Sequence, residues 1–231
     1  MKKTAASQPD RCIGFKENMV IKLVRHGQST ENAGKAAPAT GSHLLGLTAK
    51  GRAQARAAGK RLGACFIRDA IIYCSPYRRT RETLDYILKG AGIARADVRE
   101  RIYEDPRLRE VEHGYEDVPQ QQPLRERYGW FYYRYKGGES PADCFDRTSG
   151  FLESLMRQIY RKEARRVLIV AHGLTMRCFV MRYLHLSVED FEKLANPGNC
   201  AILTVASGNI LKKTQFKVGR WGVNGLSFQK E

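Results

Sequence analysis

Short apolar runs alternate along the chain with segments whose apolar residues recur every three to four positions. Three runs are nearly continuous: VIKLV at 20–24, AIIYC at 70–74 and VLIVA at 167–171. Apolar runs of this length, bounded by polar residues, are typical of strands that are buried on both faces, as in a parallel sheet. We therefore predict three buried parallel strands.

The segments between these runs have helical spacing. Thr48 can cap a helix that extends to about Cys65, and Ser140-Pro141 supplies the N-cap and first position of the longest helix. Ser207-Gly208 lies between two strand-like segments and predicts a hairpin turn. The remaining predicted elements are helices over 79–90, 174–184 and 188–194 and strands over 201–206 and 210–218, and the apolar face of the first helix is expected to comprise Ala53, Ala57, Ala58 and Leu62.

Strands that alternate with helices predict an α/β fold. We expect a three-layer αβα sandwich with a mainly parallel central sheet, an antiparallel edge strand from the final hairpin, and helices on both faces. With 231 residues and 42% hydrophobic composition, the chain suits one domain over 18–231 after a flexible polar segment at 1–17. The irregular stretch 113–139, rich in aromatic residues, arginine and glutamine, is expected to be an insertion over the sheet.

Cysteine spacing and hydropathy indicate a cytoplasmic protein. The six cysteines include no C-x-x-C pair, and several lie in apolar runs, as expected of free thiols in a reducing compartment. No apolar run approaches the roughly 18 residues of a transmembrane helix, and no apolar segment typical of a signal peptide follows Lys2 and Lys3. We expect no association with membranes.

The formal net charge is +16, from 40 basic and 24 acidic residues. Such a charge attracts anions, including nucleic acids and phosphorylated small molecules. The basic residues are spread along the chain without a recognised nucleic-acid-binding motif. A solvated basic surface is therefore the favoured interpretation over dedicated nucleic-acid binding.

Polar residues follow each of the three predicted parallel strands. These residues are Arg25-His26-Gly27, the segment from Ser75 to Arg79, and His172-Gly173. In open α/β sheets, ligands bind beyond the carboxyl ends of the strands. Since guanidinium groups match phosphate oxygens and glycines let backbone amides approach an anion, this edge is expected to bind a phosphate group.

The five histidines include neither H-x-H nor H-E-x-x-H, and we expect no metal site and no cofactor. There is no phosphate-binding G-x-x-x-x-G-K loop. His26 alone could be a buried core histidine, but Arg25 and the second His-Gly pair favour a role in phosphate chemistry.

LVRHGQSTEN (23–32) resembles the L-x-R-H-G-[EQ]-[ST]-x-x-N signature of the histidine phosphatase superfamily, which includes the cofactor-dependent phosphoglycerate mutases. LTAKGRAQA (47–55), SPYRRTRET (75–83), EDPRLREVEHG (104–114) and VAHGLTMR (170–177) are similar to further family motifs, in the family's order. GESPADCFDR (138–147), NPGNC (196–200) and the aromatic insertion most resemble the phosphatase-type branch of bacteria, fungi and plants.

The resemblance implies a metal-independent phosphomonoester hydrolase. His26 would take the phosphoryl group as a phosphohistidine, and Glu110 would donate the proton to the leaving group. Further residues would bind the transferring phosphate: Arg25, Asn32, Arg79, His172 and Gly173.

Several alternatives stay open at this point. Glu112 is a rival to Glu110 as the acid. Phosphoglycerate mutase activity is a rival to hydrolysis, which is favoured because the stretch after Glu110 does not resemble that of true mutases. A non-catalytic phosphate-binding or nucleic-acid-binding module is the alternative outside the enzymes. The aromatic stripe from Trp130 to Tyr133 is expected to pack as a lid, with a wall of the pocket as the alternative, and His113 is expected to pack as well. The substrate, whether a small molecule or a phosphoprotein, and the oligomeric state do not follow from the sequence.

Overall fold

The computed structural model describes residues 18–34, 41–114, 119–211, 214 and 216–229. The predicted flexible segment at 1–17 lies outside these residues, as does part of the predicted insertion. The described part of the insertion contains a 3-10 turn, Pro119–Gln121, and one short helix.

A mixed sheet of seven strands lies at the centre of the described chain, in the order β3-β2-β4-β1-β5-β7-β6. Strands β3, β2, β4 and β1 run parallel, whereas β5, β7 and β6 pair in antiparallel fashion beyond β1. The strands are β1 (Val20–Arg25), β2 (Ile71–Cys74), β3 (Ile102–Glu104), β4 (Arg166–Ala171), β5 (Ile202–Ser207), β6 (Phe216–Val218) and β7 (Trp221–Asn224). All three predicted parallel strands are therefore present.

Eight α-helices surround the sheet in the described residues. They are α1 (Ala49–Leu62), α2 (Ala64–Asp69), α3 (Arg78–Gly90), α4 (Arg95–Val98), α5 (Gln122–Tyr128), α6 (Pro141–Lys162), α7 (Gly173–Leu184) and α8 (Val188–Lys193). The predicted N-caps of α1 and α6 are confirmed. The Thr48 side chain accepts from the Gly51 amide, and Ser140 and Asp143 form a reciprocal capping box.

The side chains of the parallel strands alternate between two apolar clusters, one on each face of the sheet. Ile21 and Ile169 pack in one cluster with Phe151 of α6 and Phe179 of α7. Val24, Leu168 and Val170 pack in the other with helices α1 and α3. Burial on both faces explains why these strands read as continuous apolar runs, and the predicted three-layer α/β sandwich is confirmed.

Two local predictions were wrong. In α1, Ala53 and Ala57 are exposed and Ala55 lies on the buried face with Ala58. Ser207 does begin a turn, but β5 pairs with β7 rather than with the segment that follows this turn. The tight connection lies at Gly219, between β6 and β7.

Candidate active site

The carboxyl ends of β1, β2 and β4 lie side by side, since Arg25 pairs with Ala171 and Cys74 with Val170. A cavity of about 340 Å³ lies beyond these ends. The predicted site residues that line it are Arg25, His26, Asn32, Arg79 and Glu110. His172 is fully buried with its ring centroid 5.1 Å from that of His26, and Gly173 begins α7.

His26 is held in one tautomer by its backbone. The Nδ1 atom of His26 lies 2.8 Å from the carbonyl oxygen of the next residue, Gly27. Because a carbonyl oxygen only accepts, Nδ1 carries the proton and Nε2 keeps its lone pair. The side chain is 3% exposed. Burial, with smaller contributions from Arg79 and Arg25, lowers the pKa of His26 to about 3, so the ring is neutral at neutral pH.

The turn after His26 is fixed by a residue of α3. The Gly27 amide donates to Thr83 Oγ1 at 3.0 Å, and that hydroxyl donates to the Arg79 carbonyl at 2.6 Å. A Cβ atom at position 27 would overlap the Gly51 carbonyl, which requires glycine there. The position of His26 therefore depends on α1 and α3 as well as on β1.

Arg79, rather than Arg78, faces the cavity, as the motif spacing predicts. The Arg79 side chain is 2% exposed, whereas that of Arg78 is 61% exposed and pairs with Glu82. Arg79 Nη1 donates to the Ser42 carbonyl at 2.6 Å. Its buried Nε has no hydrogen-bond partner among the described residues.

Arg25 is anchored in the same way. Its Nη1 donates to the Pro197 carbonyl at 2.6 Å, and its Nε has no partner within the described part of the chain. Burial lowers the pKa of Arg25, and Glu110 partly offsets this effect. A Cβ atom at position 173 would lie 3.5 Å from the Arg25 Nε, so the start of α7 lies close to the Arg25 guanidinium.

His172 is fixed by Ser75, the first residue after β2, whose contact with His172 was not evident from the sequence. Ser75 Oγ lies 2.8 Å from His172 Nε2. Nδ1, at the other side of the ring, is buried without a partner in the described structure. Burial, together with His26 and Arg79, lowers the pKa of His172 well below its usual range.

The two candidate acids lie at the cavity in different environments. Glu110 Oε2 accepts from the Leu174 amide at 3.4 Å, at the first turn of α7, and Oε1 lies 3.4 Å from the Thr175 hydroxyl oxygen. Glu112 accepts a hydrogen bond from the Tyr77 hydroxyl. This bond raises the pKa of Tyr77, after the larger effect of burial.

The family model of the histidine phosphatase superfamily (branch 1) matches residues 21–220. The chain belongs to the histidine phosphatase superfamily. The resemblance seen in its motifs is thereby confirmed.

Curated relatives include phosphatases and mutases. This histidine phosphatase is 38% identical to the phosphoglycerate mutase-like protein AT74 of Arabidopsis thaliana, over 88% of this chain and 72% of the relative. It is 30% identical to an acid phosphatase of Mycobacterium tuberculosis, over 80% of this chain and 85% of that protein. It is 32% identical to the 2,3-bisphosphoglycerate-dependent phosphoglycerate mutase 2 of Gloeobacter violaceus, over 76% and 80% respectively.

A solved mycobacterial glucosyl-3-phosphoglycerate phosphatase, in complex with VO3, shares the fold. The TM-score is 0.67 at 24% identity, and the match covers 89% of this chain and 97% of that chain. With the family match and the acid phosphatase relative, the chain is a phosphatase of the histidine phosphatase type.

Asn32 helps to hold the loop of this histidine phosphatase that follows His26. Its Oδ1 accepts from the Ser29 amide at 3.3 Å and from Asn199 Nδ2 at 3.2 Å. Asn199 Nδ2 also lies 3.2 Å from the His26 carbonyl. Asn199 belongs to the NPGNC motif, and its contact with the His26 loop was not evident from the sequence.

Arg147 supports the segment that carries Glu110. Its Nη1 donates to the carbonyls of Arg107 and Arg109, at 2.7 and 2.8 Å, and its Nη2 pairs with Glu139 at 3.0 Å. Arg147 lies on α6 at the end of the GESPADCFDR motif, and its contact with the segment of Glu110, 37 residues away, was not evident from the sequence.

The aromatic stripe packs largely as expected. Phe131 and Tyr133 are buried, whereas Tyr132 is exposed and Trp130 lines the cavity. His113 contacts the ring of Tyr135 at 4.8 Å between centroids, but it is exposed and also lines the cavity.

Among the described residues, no group of three or more His, Cys, Asp or Glu side chains is arranged to hold a metal ion. In the same part of the chain, no helix is both long and apolar enough to cross a membrane. Cys74, Cys144, Cys178 and Cys200 are buried free thiols and Cys65 is exposed, whereas Cys12 lies outside the described residues.

Proposed function

We propose that this phosphatase hydrolyses phosphomonoesters without a metal ion, through a phosphohistidine on His26. The observation that carries the proposal is the state of this ring. His26 is neutral, its Nδ1 donates to the Gly27 carbonyl, and Nε2 is left as a nucleophile beside the cavity.

Three buried nitrogen atoms support the assignment of the phosphate-binding group. Arg25 Nε, Arg79 Nε and His172 Nδ1 have no partner among the described residues. A buried donor without an acceptor costs free energy, and a bound phosphate would supply acceptors for all three. Donation from Ser75 Oγ to His172 Nε2 would place the ring proton on Nδ1, the atom that then donates to the phosphate.

The reaction needs a proton at the leaving group. His26 Nε2 attacks phosphorus, the ester P–O bond breaks, and the leaving oxygen takes the proton of Glu110. Water then attacks the phosphohistidine while Glu110 accepts its proton, which releases inorganic phosphate and restores His26. Both carboxylates accept hydrogen bonds, and Glu110 is favoured over Glu112 because its charge acts on both Arg25 and Arg79.

Arginine supplies the positive charge that metal ions supply in other phosphotransferases. Arg25 and Arg79 stay charged at any working pH and lie beside the attacking histidine. Asn32 and the Gly173 amide are proposed as supporting donors. The proposed substrate class is a phosphorylated small molecule, since the mycobacterial structural relative is named for one.

The test is hydrolysis of p-nitrophenyl phosphate by the purified protein in excess EDTA. We expect turnover in wild type and its loss in His26→Ala. Undiminished hydrolysis in His26→Ala, or dependence of the wild type on added metal, would overturn the proposal.

Phosphoglycerate mutase activity is the second candidate, because a mutase is 32% identical to this chain. A coupled assay with 3-phosphoglycerate and a bisphosphoglycerate primer separates the two. We expect the rate of phosphate release to exceed the rate of isomerisation. A rate of isomerisation higher than that of phosphate release would assign the chain as a mutase.

A further inference from the structure

Arg177 is a buried arginine that the proposed reaction does not use. It lies on α7, is 2% exposed, and its Nη2 donates to the Phe191 carbonyl at 2.6 Å. Its guanidinium lies 4.8 Å from the ring centroid of Trp130. Its Nε has no hydrogen-bond partner, and no carboxylate of the described residues forms an ion pair with it.

A second arginine contacts the same indole. Arg125 of α5 lies 5.9 Å from the Trp130 ring centroid and 5.6 Å from that of Tyr135. Its Nη1 donates to the Gln122 side chain at 2.9 Å, and its buried Nε also lacks a partner in the described structure. Two guanidinium groups with unused donors therefore lie against one tryptophan.

Both arginines line a cavity of about 530 Å³ that adjoins the catalytic cavity. Trp130 and Asn196 line both cavities, so the two spaces are neighbours. One carboxylate, Glu192, also lines the second cavity, and its Oε1 accepts from the Phe131 amide at 3.3 Å. Two cations against one carboxylate leave this cavity positive.

A buried guanidinium without a paired anion is costly. Burial lowers the pKa of Arg177 to about 10, although Cys178, Glu110 and Glu192 act in the opposite direction. The group remains cationic at neutral pH, and an anionic ligand would provide the acceptors that Arg125 and Arg177 lack.

We propose that the substrate carries a second anionic group, a carboxylate or a phosphate, which binds Arg125 and Arg177 beside Trp130. The scissile phosphate lies at the same time against His26. This inference rests on the proposed function and narrows its substrates to small molecules with two anionic groups.

Matched substrate pairs test the proposal in the wild-type enzyme. Glycerol 3-phosphate and 3-phosphoglycerate differ by a carboxylate, and fructose 6-phosphate and fructose 1,6-bisphosphate differ by a phosphate. We expect kcat/KM to be about tenfold or more higher for the doubly anionic member of at least one pair. The responding pair identifies the second anion, and the absence of a preference in both pairs would overturn the proposal.

Arg125→Gln tests whether the second cavity causes the preference. We expect this substitution to reduce the preference about tenfold. Arg127→Gln is the matched control, because Arg127 lies on the same helix and is exposed over the ring of Tyr128. It should leave the preference unchanged. An equal loss of kcat/KM for both members of a pair in Arg125→Gln would contradict the second site.

Binding measured without turnover separates this inference from the proposed reaction. In a His26→Ala background, isothermal titration calorimetry reports binding of the intact esters. We expect tighter binding of the doubly anionic ester of the responding pair, and loss of this difference when Arg125→Gln is added. Equal affinities of the two esters for His26→Ala would refute the second site even if wild type hydrolyses phosphate esters. Tighter binding of the doubly anionic ester by His26→Ala would support the site even if wild type showed no hydrolysis.

Discussion

At the scale of the residue, the protonation state of His26 is set by burial and by the Gly27 carbonyl. Burial excludes the water that would stabilise an imidazolium ion, and the carbonyl fixes the remaining proton on Nδ1. The same burial that keeps the His26 ring neutral makes the folded protein sensitive to acid.

We predict that His26 makes stability fall as the pH falls below neutrality. In the unfolded chain a histidine takes up a proton near pH 6.5, whereas folded His26 does so only near pH 3. Between these values the unfolded chain binds more protons, so the free energy of unfolding decreases with decreasing pH. The contribution of His26 to this loss is about 2 kcal/mol between pH 7 and pH 5.

Urea denaturation of wild type and His26→Gln at both pH values measures this contribution. Because His26 also contributes to the lowered pKa of His172, the difference between the two proteins reports this coupled pair of histidines. Equal losses of stability in the two proteins would show that folded His26 titrates normally.

Leaving groups distinguish Glu110 from Glu112. We predict that Glu110→Gln lowers kcat/KM for glycerol 3-phosphate by about 10² to 10⁴, because the leaving alkoxide then lacks a proton donor. The loss should be smaller for p-nitrophenyl phosphate, whose leaving group departs as a stable anion. Glu112→Gln serves as the matched variant. A larger difference between the two substrates in Glu112→Gln than in Glu110→Gln would assign the role of proton donor to Glu112.

Some residues of the candidate site could be predicted from the sequence, and others could not. Arg25, His26 and His172 stood out because each follows an apolar strand, where a charged or titratable side chain is unusual. Ser75 also follows an apolar strand, but its role and that of Arg147 were not evident, because their contacts are with residues 97 and 38 to 40 positions away along the chain. The catalytic roles themselves stay predictions.

At the scale of the element, helix α1 approaches the loop after His26 and helix α3 through glycines. A Cβ atom at Gly51 would overlap the Gln28 carbonyl, in the loop that follows His26. A Cβ atom at Gly59 would overlap the Ile87 carbonyl of α3 instead. These close approaches let α1 contact two neighbours through its backbone.

The two glycines provide a matched pair of variants. Both Gly51→Ala and Gly59→Ala should lower the free energy of unfolding by about 1–3 kcal/mol, because each adds an atom to a filled space. Only Gly51→Ala should also lower kcat/KM, by about tenfold or more, because it displaces the loop that carries His26, the proposed nucleophile. Denaturation measures the loss of stability, and kinetics at a temperature below both melting temperatures measures activity. Equal values of kcat/KM in Gly51→Ala and Gly59→Ala would contradict the prediction.

Most strand and helix positions and the parallel arrangement of β1, β2 and β4 followed from periodicity, but the pairing of the C-terminal strands did not. Ser207-Gly208 is a local turn signal and does begin a turn, yet the partner of β5 is Trp221–Asn224. Which strand pairs with which depends on long-range packing that a dipeptide does not report. The buried alanines of α1 were only partly predicted for a different reason: alanine is only weakly hydrophobic, so it does not define the buried face of a helix clearly.

At the scale of the whole molecule, the net charge of +16 gives the protein a positive field that attracts anionic substrates. We predict that kcat/KM for a phosphate ester falls as sodium chloride is raised, while kcat changes less, because screening weakens encounter and binding more than chemistry. Steady-state kinetics over a salt series measures this, and a kcat/KM independent of salt would show that the charge does not serve the substrate.

The central claim is the covalent intermediate on His26, and trapping it is the most direct test. Wild type is mixed briefly with p-nitrophenyl phosphate in EDTA, quenched in base to preserve phosphohistidine, and digested for peptide mass spectrometry. We expect one added phosphoryl group on the peptide that contains His26, and none in His26→Ala. A phosphoryl group on another residue, or turnover that persists in His26→Ala, would contradict it.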